Sequence, residues 1–220
     1  MGSSDKLVKN ADQPWVMCSI YCAWFVCLAT IVCTVSQEAG GYGFILWSLH
    51  PVLLTVGVWG VMPLGLFSYS SSDQTPRDTL RRKHGLLMAA AALLMLCGYG
   101  AAWAIHEGKS HRHLPLWPPL KPISRVIHVY GGLAVLMAVA VQCATGVMKA
   151  LKCESSSLRI LKQHEAQGVF LWAAAAAVTC TGLYIPFVEA KTGNVAVGFG
   201  LILAASAATL FIVRRIVPLF

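Results

Sequence analysis

The chain is short of charge, and shortest of acid. Only 12% of its 220 residues are Asp, Glu, Lys or Arg, and only 9 are acidic, against 57% that are hydrophobic. With a mean hydropathy of +0.66, a soluble domain of this length is excluded. Carboxylates are nearly missing from the long apolar runs, although Glu165 borders one. That scarcity argues against a transporter relaying protons or ions through buried acids. A disulfide framework is missing too, although there are 8 cysteines. Cys18, Cys22, Cys27, Cys33, Cys97, Cys143 and Cys180 fall in apolar runs and Cys153 in a loop predicted to face the reducing cytosol. The first four do not keep one helix face, so they read as small apolar membrane residues and not as a metal site.

What is present is a series of spans. Six runs, about 14–36, 45–69, 84–105, 126–148, 166–188 and 193–213, are long enough for a core of roughly 30 Å at ~1.5 Å per residue. The expected fold is an all-α polytopic membrane protein of six transmembrane helices, with helices two to five as a central four-helix bundle. The whole chain, 1–220, forms one domain with its core at 45–188. Residues 1–13 read as a polar cytosolic tail, and the run after them as a retained helix too long for a signal-peptide core. Lys6 stands where a myristoylation signal needs Ser or Thr, so no lipid anchor is expected.

Orientation follows from Lys and Arg. A cytosolic amino terminus gives that side Lys6, Lys9, Arg77, Arg81, Arg82, Lys83, Lys149, Lys152, Arg159, Lys162, Arg214 and Arg215. The other side receives Lys109, Arg112, Lys121, Arg125 and Lys191. This bias predicts that both termini are cytosolic. It also accounts for the net charge of +8 through anionic lipid headgroups in the bilayer, without nucleic acid. Turn chemistry at Gly40-Gly41, Ser70 to Asp73 and Ser155 to Ser157 separates antiparallel neighbours. The loop over 106–125 is longer and holds Pro115, Pro118, Pro119 and Pro122 around Trp117, which predicts an ordered cap on the non-cytosolic face. His111 and His113 lie in that polar loop and read as surface residues.

Four other histidines, His50, His84, His128 and His164, stand at or near the starts of spans. Coordinating side chains inside a bilayer are costly, and four at matching positions require a common purpose. Helices two and four run from outside to cytosol, so His50 and His128 share the outer depth. Helices three and five run the other way, so His84 and His164 share the cytosolic depth. Facing imidazoles in a bundle can fill both axial positions of a haem iron, and two pairs point to two haems.

Helical phase adds a second argument. At 100° per residue, positions 4, 7, 14 and 18 beyond a ligand return to within about 40° of its face. Gly57 follows His50 at such a spacing, Gly98 follows His84, Gly132 and Gly146 follow His128, and Gly168 and Gly182 follow His164. Glycine there leaves room for a bulky macrocycle, the far ones beside the opposite pair. Close helix packing is the alternative use of such glycines.

These residues resemble the cytochrome b561 family over roughly 45–188. The resemblance lies in His50-Pro51 with Gly57 and Tyr69, in Arg81 to Leu87 with Gly98 and His106, in His128 with Gly132, Gln142 and Gly146, and in His164 with Gly168 and Gly182. It implies a transmembrane oxidoreductase with two haem b that takes electrons from cytosolic ascorbate. His50 and His128 would hold the non-cytosolic haem, His84 and His164 the cytosolic one, with Gln142 and Tyr69 packing around them. Arg77, Arg81 and Arg159 fall where the family binds ascorbate. His106, with Trp103 just below it, falls where it binds the acceptor, implied to be monodehydroascorbate or a ferric chelate. A homodimer is a further family expectation. The sequence departs from the family at Ser70, where Arg often stands, at Tyr130, where Trp is usual, and in an extended 106–128 interval. A ferric reductase fed by another donor, and a histidine-based proton or metal transporter, remain open alternatives at this point.

Overall fold

The computed structural model describes residues 14–37, 42–70, 75–108, 123–151, 163–185 and 195–216. These form helices: α1 (Pro14–Gln37), α2 (42–70), α3 (Arg77–Gly108), α4 (Ile123–Ala150), α5 (His164–Tyr184) and α6 (Val195–Ile216). Five stretches are long and apolar enough to cross a membrane: Ser48–Tyr69, Arg77–Ala104, Ile123–Ala150, His164–Tyr184 and Val195–Val213. A sixth, shorter apolar stretch, Val16–Val32, lies in α1. The protein is thus a polytopic all-α membrane protein.

Local chemistry sets several helix ends. Pro14 opens α1, where its missing N–H costs nothing. Pro76 cannot enter a helix interior, but its carbonyl accepts from the N–H groups of Thr79 at 3.0 Å and Leu80 at 3.2 Å. The helix therefore begins at Arg77, seven residues before the apolar run predicted to start it. The intervening Leu, Arg and Lys are good helix formers, so hydropathy marks the membrane core and propensity marks the helix. At ~1.5 Å per residue, α3 is about 48 Å long and overshoots a core of roughly 30 Å, which leaves its basic first turns at the headgroup level. His84 accordingly sits two turns inside α3, and His128 more than one turn inside α4.

Helix α2 is irregular. An α-helix over Tyr42–Thr55, containing Pro51, widens into a π-helical turn at Val56–Val61. It resumes at Met62–Leu66 and tightens to a 3-10 end at Phe67–Ser70. Such wide turns inside helices gather at functional positions.

Packing groups the helices as two antiparallel hairpins. α2 packs most extensively on α3, and α4 on α5. α1 rests against α2 and α6, and α6 against α5, closing one side. Ala23, Ala176 and Ala205 are fully buried, and such small residues let helix backbones approach closely where lipid offers no hydrophobic drive. Leu86, Leu93 and Leu96 of α3, Met137 and Val141 of α4 and Leu203 and Leu210 of α6 point outward, as lipid-facing surface requires. Among the described residues Cys18, Cys22, Cys27, Cys97, Cys143 and Cys180 are free thiols.

Candidate functional site

The four span histidines meet in two pairs. The rings of His50 on α2 and His128 on α4 have centroids 6.0 Å apart with planes at 87°. Those of His84 on α3 and His164 on α5 are 6.4 Å apart at 76°. Each pair takes one imidazole from each hairpin. Two metal–imidazole bonds of roughly 2 Å plus the two ring radii come to about 6 Å, so a single iron fits between the rings of either pair.

Hydrogen bonding fixes which nitrogen would face the metal. His50 Nδ1 donates to the carbonyl of Gly98 at 3.0 Å, and His84 Nδ1 to that of Gly65 at 2.9 Å. His128 Nδ1 donates to the carbonyl of Val178 at 3.2 Å. His164 Nδ1 lies 3.2 Å from the Thr145 hydroxyl, which itself donates to the Gln142 carbonyl at 2.9 Å and so accepts from the ring. A carbonyl can only accept, so Nδ1 carries the proton and Nε2 the lone pair a metal needs. Partners of this kind orient metal-binding imidazoles and raise their basicity.

The bonds are reciprocal within each hairpin. α2 supplies His50 and, through Gly65, the acceptor for His84; α3 supplies His84 and, through Gly98, the acceptor for His50. α4 and α5 repeat the exchange with His128, Thr145, His164 and Val178. Motif reading missed Gly65, Thr145 and Val178 because two of the three act through their backbones, which carry no side-chain signal. Only the i+3 bond from Thr145 back to Gln142 had a local cue.

The phased glycines lie at the helix contacts. A Cβ at Gly182 would stand 2.6 Å from His128 Cε1, and one at Gly146 would stand 3.3 Å from His164 Cε1. Each glycine thus admits the ligand ring of the other helix in its hairpin. At Gly57 a Cβ would meet Met95 and the Ala91 carbonyl, and at Gly98 the side chains of Leu53 and Leu54, along the α2–α3 seam. Gly168 makes way for the Gln142 amide, whose nitrogen donates to the His164 carbonyl at 2.6 Å. Gly132 faces Val178 with more room.

Around the His84–His164 pair the polar groups gather. The Tyr69 ring lies 5.3 Å from that of His84, and the Arg81 guanidinium stands beside the Tyr69 hydroxyl, with Glu165 close enough to act on it. Lys149, in the last turn of α4, lies close enough to His164 for its charge to be felt there. Arg81 also pairs with Asp78 at 3.4 Å on the exposed face of α3, where Arg77 is exposed as well. Arg159 lies outside the described residues.

Toward the other end, Trp103 is partly exposed, with its ring 6.1 Å from that of Tyr99. The backbone of His106 continues α3, but its side chain lies outside the described set. The predicted cap falls mainly on 109–122, also outside the described residues. Among the described residues no three His, Cys, Asp or Glu side chains gather into another metal-binding group.

A membrane bundle that sets imidazoles in opposed pairs, with every Nδ1 engaged, has the coordination chemistry of a b-type electron-transfer cytochrome. The family model for eukaryotic cytochrome b561 matches residues 49–188, well over half of the chain, and the chain belongs to that family. It is a transmembrane oxidoreductase that moves electrons by b-type haem. None of the curated proteins compared with the chain matches it.

Proposed function

We propose that the chain carries two haem b, one held by His50 and His128 and one by His84 and His164. Electrons then pass from cytosolic ascorbate to monodehydroascorbate or a ferric chelate on the other side. One observation supports this above others: the imidazoles stand in two opposed pairs at 6.0 and 6.4 Å, each Nδ1 on an acceptor. When bound, the haem supplies a reversible one-electron couple.

The residues do the rest. With His50 and His128, or His84 and His164, both given to the metal, no position would be left for oxygen, and the bound group would supply outer-sphere electron transfer. Arg77 and Arg81, joined by Arg159 through the family resemblance, draw in the ascorbate monoanion. Tyr69 links that basic surface to His84 by contact. Ascorbate leaves as monodehydroascorbate after giving up one electron and one proton, the proton going to the cytosol. Trp103 and His106 serve the opposite mouth, where an electron and a proton return monodehydroascorbate to ascorbate, or an electron alone reduces a ferric chelate. Gly57, Gly98, Gly132, Gly146, Gly168 and Gly182 keep the helices and ligand rings close enough for both sites, with the lipid bilayer around them. The charge bias supports cytosolic termini, and the family resemblance supports a homodimer.

The ion pair between Arg81 and Asp78 favours one second reading, a ferric reductase with another donor, because part of the Arg81 charge is already met. An absorption spectrum of the purified protein, oxidised and then ascorbate-reduced, with haem counted per chain, tests both. Two bis-histidine centres reduced by ascorbate are expected. Two centres that only another reductant fills would select the second reading, and a colourless protein would overturn both.

A further inference from the structure

Two tryptophans at the heart of the bundle play no part in ligation. Trp59, in the π-helical turn of α2, and Trp172 of α5 are both wholly buried and are the largest fully buried side chains among the described residues. Their rings lie 5.7 Å apart at 77°, an edge-to-face contact. The Trp172 indole N–H donates to the Val58 carbonyl at 2.9 Å. A π-turn displaces carbonyls from the regular helical ladder, which makes one available across the interface.

Register places the pair between the two imidazole levels. Along α2, Trp59 comes nine residues after His50 and six before Gly65, the acceptor for His84. Along α5, Trp172 comes eight residues after His164 and six before Val178, the acceptor for His128. The levels are about 20 Å apart at ~1.5 Å per residue. The contact also joins the two hairpins at mid-height, since α2 and α5 belong to different ones.

An aliphatic side chain would fill this core without polar atoms. Trp59 instead buries an Nε1–H that has no hydrogen-bond partner among the described residues. What Trp59 brings to the interface is its ring, set edge-to-face against Trp172. We infer that the Trp59–Trp172 ring pair is the tunnelling bridge between the two histidine pairs, held in register by the hydrogen bond from Trp172 to Val58. This rests on the proposal that each pair holds a haem. One electron leaves the reduced site and one reaches the oxidised site, with no bond made or broken. Both indoles stay closed-shell, because a b-type couple is too weak an oxidant to take an electron from indole. Their π orbitals carry electronic coupling better than the saturated side chains around them.

The test compares Trp59→Met, which fills the space without a π system, with Trp59→Phe, which keeps a ring, and repeats both changes at Trp172. Haem per chain and the two midpoint potentials are measured first, then the rate at which an electron injected at one centre reaches the other. Methionine at either position is expected to leave two haems and their potentials in place and to slow the transfer severalfold. Phenylalanine is expected to recover most of the rate. Wild-type transfer in the methionine variants, or equal slowing by Phe and Met, would overturn the bridge. So would loss of haem from both methionine variants, which would make the pair a packing element. Fewer than two haems in the unsubstituted protein would instead remove the reading on which the bridge rests.

Discussion

Gly182 stands against the ring of His128: a Cβ at position 182 would lie 2.6 Å from the imidazole Cε1, closer than any unstrained contact. The same ring donates to the Val178 carbonyl one turn earlier on α5, so helix and ligand touch at two points. Gly182→Ala is expected to push the imidazole off Val178 and, if each pair holds a haem as proposed, to take the chain from two haems toward one. The remaining centre should keep the signature of the His84–His164 pair. Haem per chain with low-temperature spectra checks this. Gly146→Ala, whose Cβ would meet His164 Cε1 at 3.3 Å, should be milder.

The two pairs should fail differently. His84→Ala or His164→Ala is expected to abolish reduction by cytosolic ascorbate, because the centre next to Tyr69 and Arg81 is lost. His50→Ala or His128→Ala should leave one centre that ascorbate still reduces but stop delivery to the far side. Vesicles loaded with ascorbate and given an impermeant ferric chelate outside separate the outcomes. Normal haem content and kinetics in the His84 and His164 variants would sink the assignment.

Among the described residues, Thr145 is the one hydroxyl that serves a ligand Nδ1 without a backbone carbonyl beside it. Thr145→Val keeps the shape and removes the acceptor, and outer-shell losses of this kind cost about 10–100-fold in metal affinity. Weaker haem retention at His164 is expected, with recovery in Thr145→Ser. Thr181→Val should matter less, because the Val178 carbonyl still receives His128 when the Thr181 hydroxyl, 3.5 Å from Nδ1, is gone. Haem titration of the three variants decides it.

Arg81 is half-exposed, so its pull on an anion is screened by salt. Arg81→Ala is expected to raise the ascorbate concentration for half-maximal reduction severalfold at low ionic strength, with the difference shrinking as salt is added. Stopped-flow reduction across a salt series measures it. An unchanged rate at low salt would argue against the basic pocket and for another donor.

Much of this was legible in the sequence. Span hydropathy gave the helices, alternation of direction gave the pairing of His50 with His128 and His84 with His164, and turn chemistry gave the antiparallel neighbours. Helix α3 begins seven residues before its apolar run, because a hydropathy window reports where lipid begins and not where the backbone starts to coil. The phase of the glycines was legible, but their neighbours were not. Periodicity says that Gly146 and Gly182 share a face with a ligand, and cannot say that another helix brings an imidazole to that face.

What the sequence determined by itself is whatever depends on one helix at a time: apolar length, direction, depth and the residue types at each depth. The tertiary structure alone decided what depends on two helices meeting. The Gly65, Gly98 and Val178 carbonyls become ligand supports only through their placement beside another helix, since every residue has a carbonyl. The π-turn that offers Val58 to Trp172 follows the same logic. Backbone groups are chemically alike along the chain, so only the packing that brings one of them to an imidazole or an indole gives it a role.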